Sequence, residues 1–301
     1  MKKIKYYILM FCLFANGCGN KPEVTEQTYT SGIVKIVVDE SFEPIIEDQL
    51  YVFENTYTKA KIDVLYKPEN ELLNLFLSDS IQVAILSRKL KPAESRFYEN
   101  KKINIRVNRF AIDGIALITN KSNADSTAKV DDILAVLKGK PGNIKSLVFD
   151  NANSSTVRYL KELAGVSALP SSGVYAMKSN PEVIRYVHAN PSAVGVVGVN
   201  WLKQPDADLE EILKSLKVIP IKNLPGRSGS DKFYKPTQSN IASGLYPLIR
   251  ELYIINCEGG PGLGTGFASF LAGEQGQRIV LKSGLVPDSI PSRQIIIRKK
   301  I

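Results

Sequence analysis

Three consecutive hydroxyl side chains occupy a predicted strand-to-helix junction, where they could bind an anion. Ser154, Ser155 and Thr156 follow the β-prone residues 146–150 and precede residues 157–163, whose apolar positions recur at helical spacing. A helix start leaves backbone N–H groups without intrahelical partners and carries partial positive charge, and the hydroxyl groups add donors. The alternative is that one of them is only the N-cap, a common use of Ser and Thr.

Two other predicted strand ends carry residues that could serve the same chemistry. Ser41 follows the apolar residues 33–38, and Ser87 and Arg88 follow residues 82–86. Ligands of parallel α/β sheets bind at the carboxyl ends of the strands, so we expect these side chains to lie near Ser154. Arg88 could equally be a solvated surface residue.

The elements that must position these residues alternate between strand and helix along the chain. Short intervals between them predict an α/β fold with a mostly parallel sheet covered on both faces. Residues 224–239, rich in Pro, Gly and Ser, indicate a crossing between lobes or a surface loop. The predicted strands span residues 33–38, 61–66, 82–86, 104–110, 112–119, 146–150, 193–197, 217–221 and 246–255, and the predicted helices 45–55, 69–78, 130–137, 157–163, 181–187 and 267–283.

Length and composition are typical of a globular protein, and the residue types present argue against an enzyme or a nucleic-acid binder. The chain has 301 residues, long enough for two lobes or one large domain, and a formal net charge of +9, which favours anionic partners. Its Lys and Arg residues are dispersed, so we do not expect nucleic acid as a partner. The single histidine, His188, ends a helical pattern, and no zinc spacing or nucleophile elbow is present in the sequence. We therefore expect no enzyme activity, metal or cofactor.

The first 17 residues have the pattern of an export signal. A basic start precedes an apolar run too short to span a bilayer. Ala15 and Gly17 before Cys18 resemble the lipobox of bacterial lipoproteins, which implies cleavage before Cys18 and its lipidation as a membrane anchor. The alternative is an ordinary secretory signal with an incidental cysteine. Residues 18–31 are polar and predict a flexible tether.

Several motifs in order along the chain resemble the PstS-type substrate-binding components of phosphate ABC transporters, in the type II periplasmic binding protein superfamily. They are Glu-Ser-Phe-Glu-Pro, Ala-Ile-Leu-Ser-Arg-Lys-Leu, Asn-Ser-Ser-Thr-Val-Arg-Tyr-Leu, Ala-Val-Gly-Val-Val, Tyr-Pro-Leu-Ile-Arg-Glu-Leu-Tyr and Phe-Leu-Ala-Gly-Glu-Gln-Gly-Gln-Arg-Ile-Val with Gly-Leu-Val-Pro. The resemblance implies two α/β lobes with a ligand cleft between them. By this likeness lobe 1 comprises residues 33–110 and 225–301, and lobe 2 residues 111–224.

The resemblance also implies the site residues. Ser41 and Phe42 match the family loop that gives a hydroxyl and a backbone N–H to phosphate, while Ser154 and Thr156 match the hydroxyls of its Ser-Gly-Thr helix start, with Ser155 at the glycine. The family's serine-rich loop after the second strand is replaced by residues 67–70, which removes one hydroxyl donor.

Two family charges are exchanged in this sequence. The family acid after the third strand aligns with Arg88, and the family arginine four residues before the first helix-start serine aligns with Asp150. We hypothesise that Arg88 and Asp150 meet across the cleft, with Arg88 donating to an oxyanion and Asp150 accepting its proton or holding Arg88. Alternatively Arg158 or a lysine supplies the charge.

The function implied by the resemblance is capture of inorganic phosphate for an ABC permease. The expected protein is a monomeric lipoprotein anchored on the periplasmic face of the cell envelope. Two alternatives keep the fold: a binder of another small oxyanion, and a sensor or scaffold lipoprotein that has lost transport. The missing loop donor and the exchanged charges are the reasons to keep the oxyanion alternative.

Overall fold

A computed structural model describes residues 27–78 and 80–289. The predicted signal peptide, Cys18 and most of the tether lie outside these residues. The helices are α1 (Glu43–Thr56), α2 (Glu69–Leu77), α3 (Pro92–Asn100), α4 (Val130–Leu137), α5 (Ser155–Ala164), α6 (Asn180–Ala189), α7 (Val199–Lys203), α8 (Ala207–Lys214), α9 (Gln238–Ala242), α10 (Leu263–Ala272) and α11 (Glu274–Lys282). The strands are β1 (Ser31–Asp39), β2 (Lys59–Lys67), β3 (Val83–Leu86), β4 (Arg106–Asn120), β5 (Ala128–Lys129), β6 (Leu147–Phe149), β7 (Val174–Ala176), β8 (Val194–Gly198), β9 (Leu216–Ile219), β10 (Ile221–Lys222), β11 (Ile249–Asn256) and β12 (Val286–Pro287).

One mixed sheet runs through the molecule in the order β2-β1-β3-β11-β4-β8-β6-β7. Strand β1 pairs in parallel with β2 and β3, and β6 pairs in parallel with β7 and β8. The two parallel groups are joined by β4, whose first half pairs antiparallel with β11 and whose second half pairs antiparallel with β8 and β9. A single strand of 15 residues therefore connects both halves of the sheet.

Alternate residues of each central strand enter different hydrophobic cores, as expected for a sheet covered on both faces. In β1, Ile36 and Val38 pack with α1 and α10, whereas Val37 packs with α2 and α3. In β4, Ile115 packs with α4 and α5, whereas Ala116 packs with α6 and α8. Apolar burial thus fixes the direction in which each strand end faces.

The core contacts divide near the middle of β4 and the start of β11. Phe110 of β4 and Leu252 of β11 pack in the first half of the sheet, and Ile115 packs in the second. Tyr246 and Leu248, which the sequence prediction assigns to lobe 1, also pack in the second half. The lobe boundaries stay a prediction.

The α/β fold class predicted from the alternating pattern is confirmed, but the predicted mostly parallel sheet is wrong, because the central strands β11 and β4 pair antiparallel with their neighbours. Three further differences concern detail. Residues 104–110 and 112–119, predicted as successive strands, form the continuous β4. The helix predicted over residues 267–283 is two helices, because Gly273 is extended and Gly276 approaches the α10 backbone too closely for any side chain. Helices α3, α7, α8 and α9 were not predicted. Among the described residues, no helix has the length and apolarity needed to cross a membrane.

Candidate functional site

The candidate site lies where the end of β1 meets the start of α5. Asp39 ends β1, Ser41 and Phe42 follow it, and Asp150 and Ser154 follow β6. All five side chains are buried. The carboxyl ends of strands from the two halves of the sheet therefore face each other, which is where ligands of such sheets bind.

Ser154 is both the N-cap of α5 and part of this buried site. Its Oγ accepts a hydrogen bond from the Val157 N–H at 3.2 Å and donates to Asp150 Oδ1 at 2.7 Å. The cap interpretation is therefore confirmed, and the role of Ser154 in binding an anion stays a prediction. Gly165 ends the helix in the left-handed conformation at φ 66°.

The Asp150 carboxylate connects the two halves of the site. Its Oδ2 accepts from Ser41 Oγ at 3.3 Å and from Asn180 Nδ2 at 3.1 Å, and its Oδ1 also accepts from the Asn151 N–H. Ser41 lies in the first half of the sheet and Asp150 in the second. The hydroxyls that match the family's phosphate donors are here directed at a carboxylate of the protein itself.

Arg250, on β11, is the buried cation of the site. Its Nη2 donates to Asp113 Oδ2 at 3.0 Å, and its Nη1 donates to Ser155 Oγ at 2.9 Å and Thr156 Oγ1 at 3.0 Å. The guanidinium carbon lies 4.6 Å from the centre of the Phe42 ring, a cation–π contact. Because Arg250 donates to the two hydroxyl oxygens, their own hydrogens can be donated to a guest.

Asn200 and Trp201 hold the β1 loop in place from the second half of the sheet. Asn200 Nδ2 and Trp201 Nε1 each donate to the Ser41 carbonyl oxygen at 3.0 Å. Both residues belong to α7 and are buried. The Ser41 N–H in turn donates to Asp39 at 3.0 Å. Both backbone polar groups of Ser41 are therefore held by hydrogen bonds.

Burial raises the pKa of the three site aspartates, Asp39, Asp113 and Asp150. Arg250 opposes this shift at each of them, yet for Asp39 the pKa still rises to about 6. Both Asp39 and Asp150 are fully buried. Three buried aspartates in one site would repel a fully ionised anion unless some of them are protonated or paired with Arg250.

Asp39 should make stability decrease with pH. Its raised pKa means that the unfolded chain loses this proton near pH 4 and the folded chain only near pH 6, so the free energy of unfolding falls as pH rises across that window. A shift of about two pKa units corresponds to about 3 kcal/mol. In chemical denaturation at about pH 4.5 and about pH 7.5, Asp39→Asn should gain stability relative to wild type at the higher pH. A constant difference between the proteins would contradict this assignment.

The predicted contact between Arg88 and Asp150 is wrong. Among the described residues, Arg88 donates to both Glu94 carboxylate oxygens at 2.8 Å and to Glu69 Oε1 at 3.1 Å. Two acids on α2 and α3 lie closer to Arg88 than Asp150 does, and an aligned position alone does not reveal such competing partners. Whether Arg88 affects ligand binding stays a prediction.

Arg158 and Ser87 lie together where the two halves of the molecule meet, a boundary that we call the seam. Arg158, on α5, forms a 2.6 Å ion pair with Glu69 and donates to Ser87 Oγ at 2.9 Å. Glu69 is 1% exposed, and its carboxylate forms ion pairs with both Arg88 and Arg158. Asn70 adds a weaker contact to Asn153 at 3.2 Å.

The structure thus brings together Ser41, Phe42, Asp150 and the three helix-start hydroxyls, and places Ser87 beside Arg158 and Arg88 beside Glu69. Sequence reasoning missed Arg250, Asp39, Asp113 and Asn180. A usable signal existed for Arg250, because an arginine inside the apolar residues 246–255 has to find a buried partner.

This fold, with its polar seam between two α/β halves, defines a two-lobed binding protein of the periplasmic type. A model of the PBP superfamily domain matches residues 23–275, and the chain belongs to that superfamily. The resemblance to PstS-type proteins noted from the sequence is confirmed.

Individual relatives are similar at modest identity. The phosphate-binding protein PstS of Staphylococcus saprophyticus is 25% identical over 214 residues, which are 65% of this chain and 61% of that protein. A structure with bound phosphate from Clostridium perfringens, assigned to the phosphate ABC transporter substrate-binding proteins, has a TM-score of 0.70 at 20% identity, covering 86% of this chain and all of that one. An ABC-type phosphate transport receptor from Vibrio cholerae has a TM-score of 0.64 at 20% identity, covering 85% and 100%.

Proposed function

We propose that the protein is the substrate-binding component of an ABC transporter and captures a phosphate-type oxyanion between its lobes. The observation that carries this proposal is a buried set of four hydroxyls. Those of Ser41 and Ser154 meet at Asp150, and those of Ser155 and Thr156 accept from Arg250. Similarity to phosphate-binding relatives supports the same ligand class. A lipid anchor at Cys18 would hold the protein near its permease, with no chemical step.

The bound oxyanion would compete with Asp150 for two donors. The hydroxyls of Ser41 and Ser154 donate to Asp150, and an entering phosphate offers them stronger and more numerous acceptor oxygens. An ionised Asp150 repels the guest, whereas a protonated Asp150 donates to it. Burial already raises the pKa of Asp150, so proton uptake on binding is favourable.

Phosphate affinity should therefore strengthen as pH falls, and Asp150→Asn should reduce this dependence. Uptake of one proton on binding changes affinity by up to about tenfold per pH unit. Calorimetric titration of wild type and Asp150→Asn with inorganic phosphate between about pH 6 and pH 8 separates this effect from the titration of phosphate itself, which is common to both proteins. The same pH dependence of affinity in both proteins would contradict protonation of Asp150 on binding. The absence of any binding signal in both proteins would contradict phosphate capture.

A further inference from the structure

A cavity of about 420 Å³ lies between the two halves of the sheet, beside the candidate site. One wall comes from the β1 loop, the start of α1 and Tyr66 of β2. The other comes from the start of α6 and from α7, including Asn180, Trp201 and Gln204. Because both halves of the sheet contribute walls, a molecule bound here would be enclosed by closure of the same seam as the candidate site.

The walls of this cavity are acidic, although the whole chain carries a formal net charge of +9. Four carboxylates line it, from Glu40, Glu43, Glu47 and Asp206, and no Lys, Arg or His of the described residues does. Burial and the nearby charges of Asp150, Asp39, Glu71 and Glu43 raise the pKa of Glu40 to about 8. At neutral pH this raised pKa keeps a proton on Glu40, and a cationic guest would supply the counter-charge that favours its ionised form.

Three oxygen acceptors on these walls have no hydrogen-bond partner within the part of the chain that the structure describes. They are Glu40 Oε1, Asn180 Oδ1 and Gln204 Oε1, each a buried atom. Asn180 is only 2% exposed, and its Nδ2 donates to Asp150. This hydrogen bond fixes the orientation of the side chain and leaves Oδ1 as its unbonded polar atom. Buried acceptors without partners are costly, so the cavity is suited to a guest that donates several hydrogen bonds.

An organic ammonium group fits this set of acceptors better than a metal ion. Within residues 27–78 and 80–289, no group of three or more His, Cys, Asp or Glu side chains is arranged to hold a metal. An ammonium group carries three donors and one positive charge, matching three separate acceptors in an acidic cavity. The rings of Tyr66 and Trp201 on the walls can accept a cation or cover a short alkyl chain.

The acidic cavity and the oxyanion site share residues. Asn180 lines the cavity and donates to Asp150, Trp201 lines it and donates to the Ser41 carbonyl, and Glu40 is the chain neighbour of Asp39 and Ser41. These shared side chains lie between the oxyanion site and the acidic cavity. A short molecule with a charge of each sign could bind to both.

We propose that the ligand is a zwitterion, a phosphate monoester or phosphonate bearing a primary ammonium group on a short alkyl chain. The phosphorus oxyanion binds at the start of α5. The ammonium group binds in the acidic cavity, among Glu40, Glu43, Asp206 and Asn180. This inference rests on the proposed function, because the oxyanion site provides half of the recognition.

Calorimetry with two matched ligands tests the ammonium site. O-phosphoethanolamine and monoethyl phosphate present the same monoester group on the same two-carbon chain and differ in the ammonium group. Charge-assisted hydrogen bonds of about 1.5–3 kcal/mol correspond to a preference of about 10-fold to 100-fold for O-phosphoethanolamine in the wild type. In Glu43→Gln and in Asp206→Asn, this ratio should fall toward one.

Glu99→Gln serves as the matched control, since Glu99 is an exposed acid on α3 outside the cavity, and it should keep the wild-type ratio. Melting curves verify that each variant is folded, and having two cavity variants keeps the test decisive if one is not. Equal affinities of the wild type for the two ligands, or a preference that survives both cavity substitutions, would overturn the ammonium site while leaving oxyanion capture intact. Failure of inorganic phosphate and both esters to bind would overturn the proposed function itself.

Discussion

Replacing Arg250 by alanine is expected to lower the free energy of unfolding by about 3–5 kcal/mol, the usual cost of leaving one partner of a buried ion pair uncompensated. Asp113 is fully buried, and Arg250 donates to it through both Nε and Nη2. The substitution also removes the donor that polarises the Ser155 and Thr156 hydroxyls, so phosphate binding should be lost. Urea denaturation and calorimetric titration measure the two effects.

A paired replacement separates charge from packing at this position. Arg250→Met combined with Asp113→Asn removes both charges and keeps similar volume, so it should recover most of the stability lost in Arg250→Ala. Binding should not recover, because the methionine cannot donate to the hydroxyls. If Arg250→Ala alone is as stable as wild type, the buried pair is not the structural centre that we assign to it.

Replacing Glu69 by alanine is the second change with a large expected consequence. One buried carboxylate oxygen accepts from Arg88 at 3.1 Å and pairs with Arg158 at 2.6 Å, so its removal leaves two guanidinium groups facing each other. We expect a loss of about 3–5 kcal/mol in the free energy of unfolding, with part of it at the seam, because Arg158 belongs to α5 and Glu69 to α2.

The effect on the seam is measurable apart from global stability. Small-angle scattering of Glu69→Ala without added anion should show a larger radius of gyration than wild type, and the anion affinity should fall because closure has lost a contact. Glu162→Ala is the matched control: Glu162 also pairs with Arg158, at 2.7 Å, but lies within the same helix and is half exposed. Unchanged scattering in Glu69→Ala would show that this pair does not hold the seam.

Local sequence patterns predicted most of the strands and the start of α5, because those features depend on near neighbours. Residues 36–38 alternate between two cores, and Ser154 caps the helix that follows it, so both could be predicted from short windows. The fold class followed from their order along the chain. The paired helices α10 and α11 were predicted as one, because the close approach of Gly276 to Phe270 is a property of tertiary packing.

The charges of the site could not be predicted in the same way. Arg88 follows a strand end, as an anion-binding residue would, but its partner was decided by Glu69 and Glu94 on two separate helices. Arg250 looked like part of an apolar strand, and its role depends on β4 placing Asp113 beside it. The Arg250–Asp113 pairing joins positions 137 residues apart, and only the sheet order brings them together.

The continuity of β4 has a consequence for how the protein would open. Asp113 and Arg250 sit opposite each other on β4 and β11, at the place where the sheet passes from one half to the other. Rotation of the lobes about these two strands would carry Ser41 and Ser154 apart while the ion pair stays close to the axis. The positive charge of Arg250 would then lie at the axis of rotation. It would be available to an anion in the open form, before the lobes close.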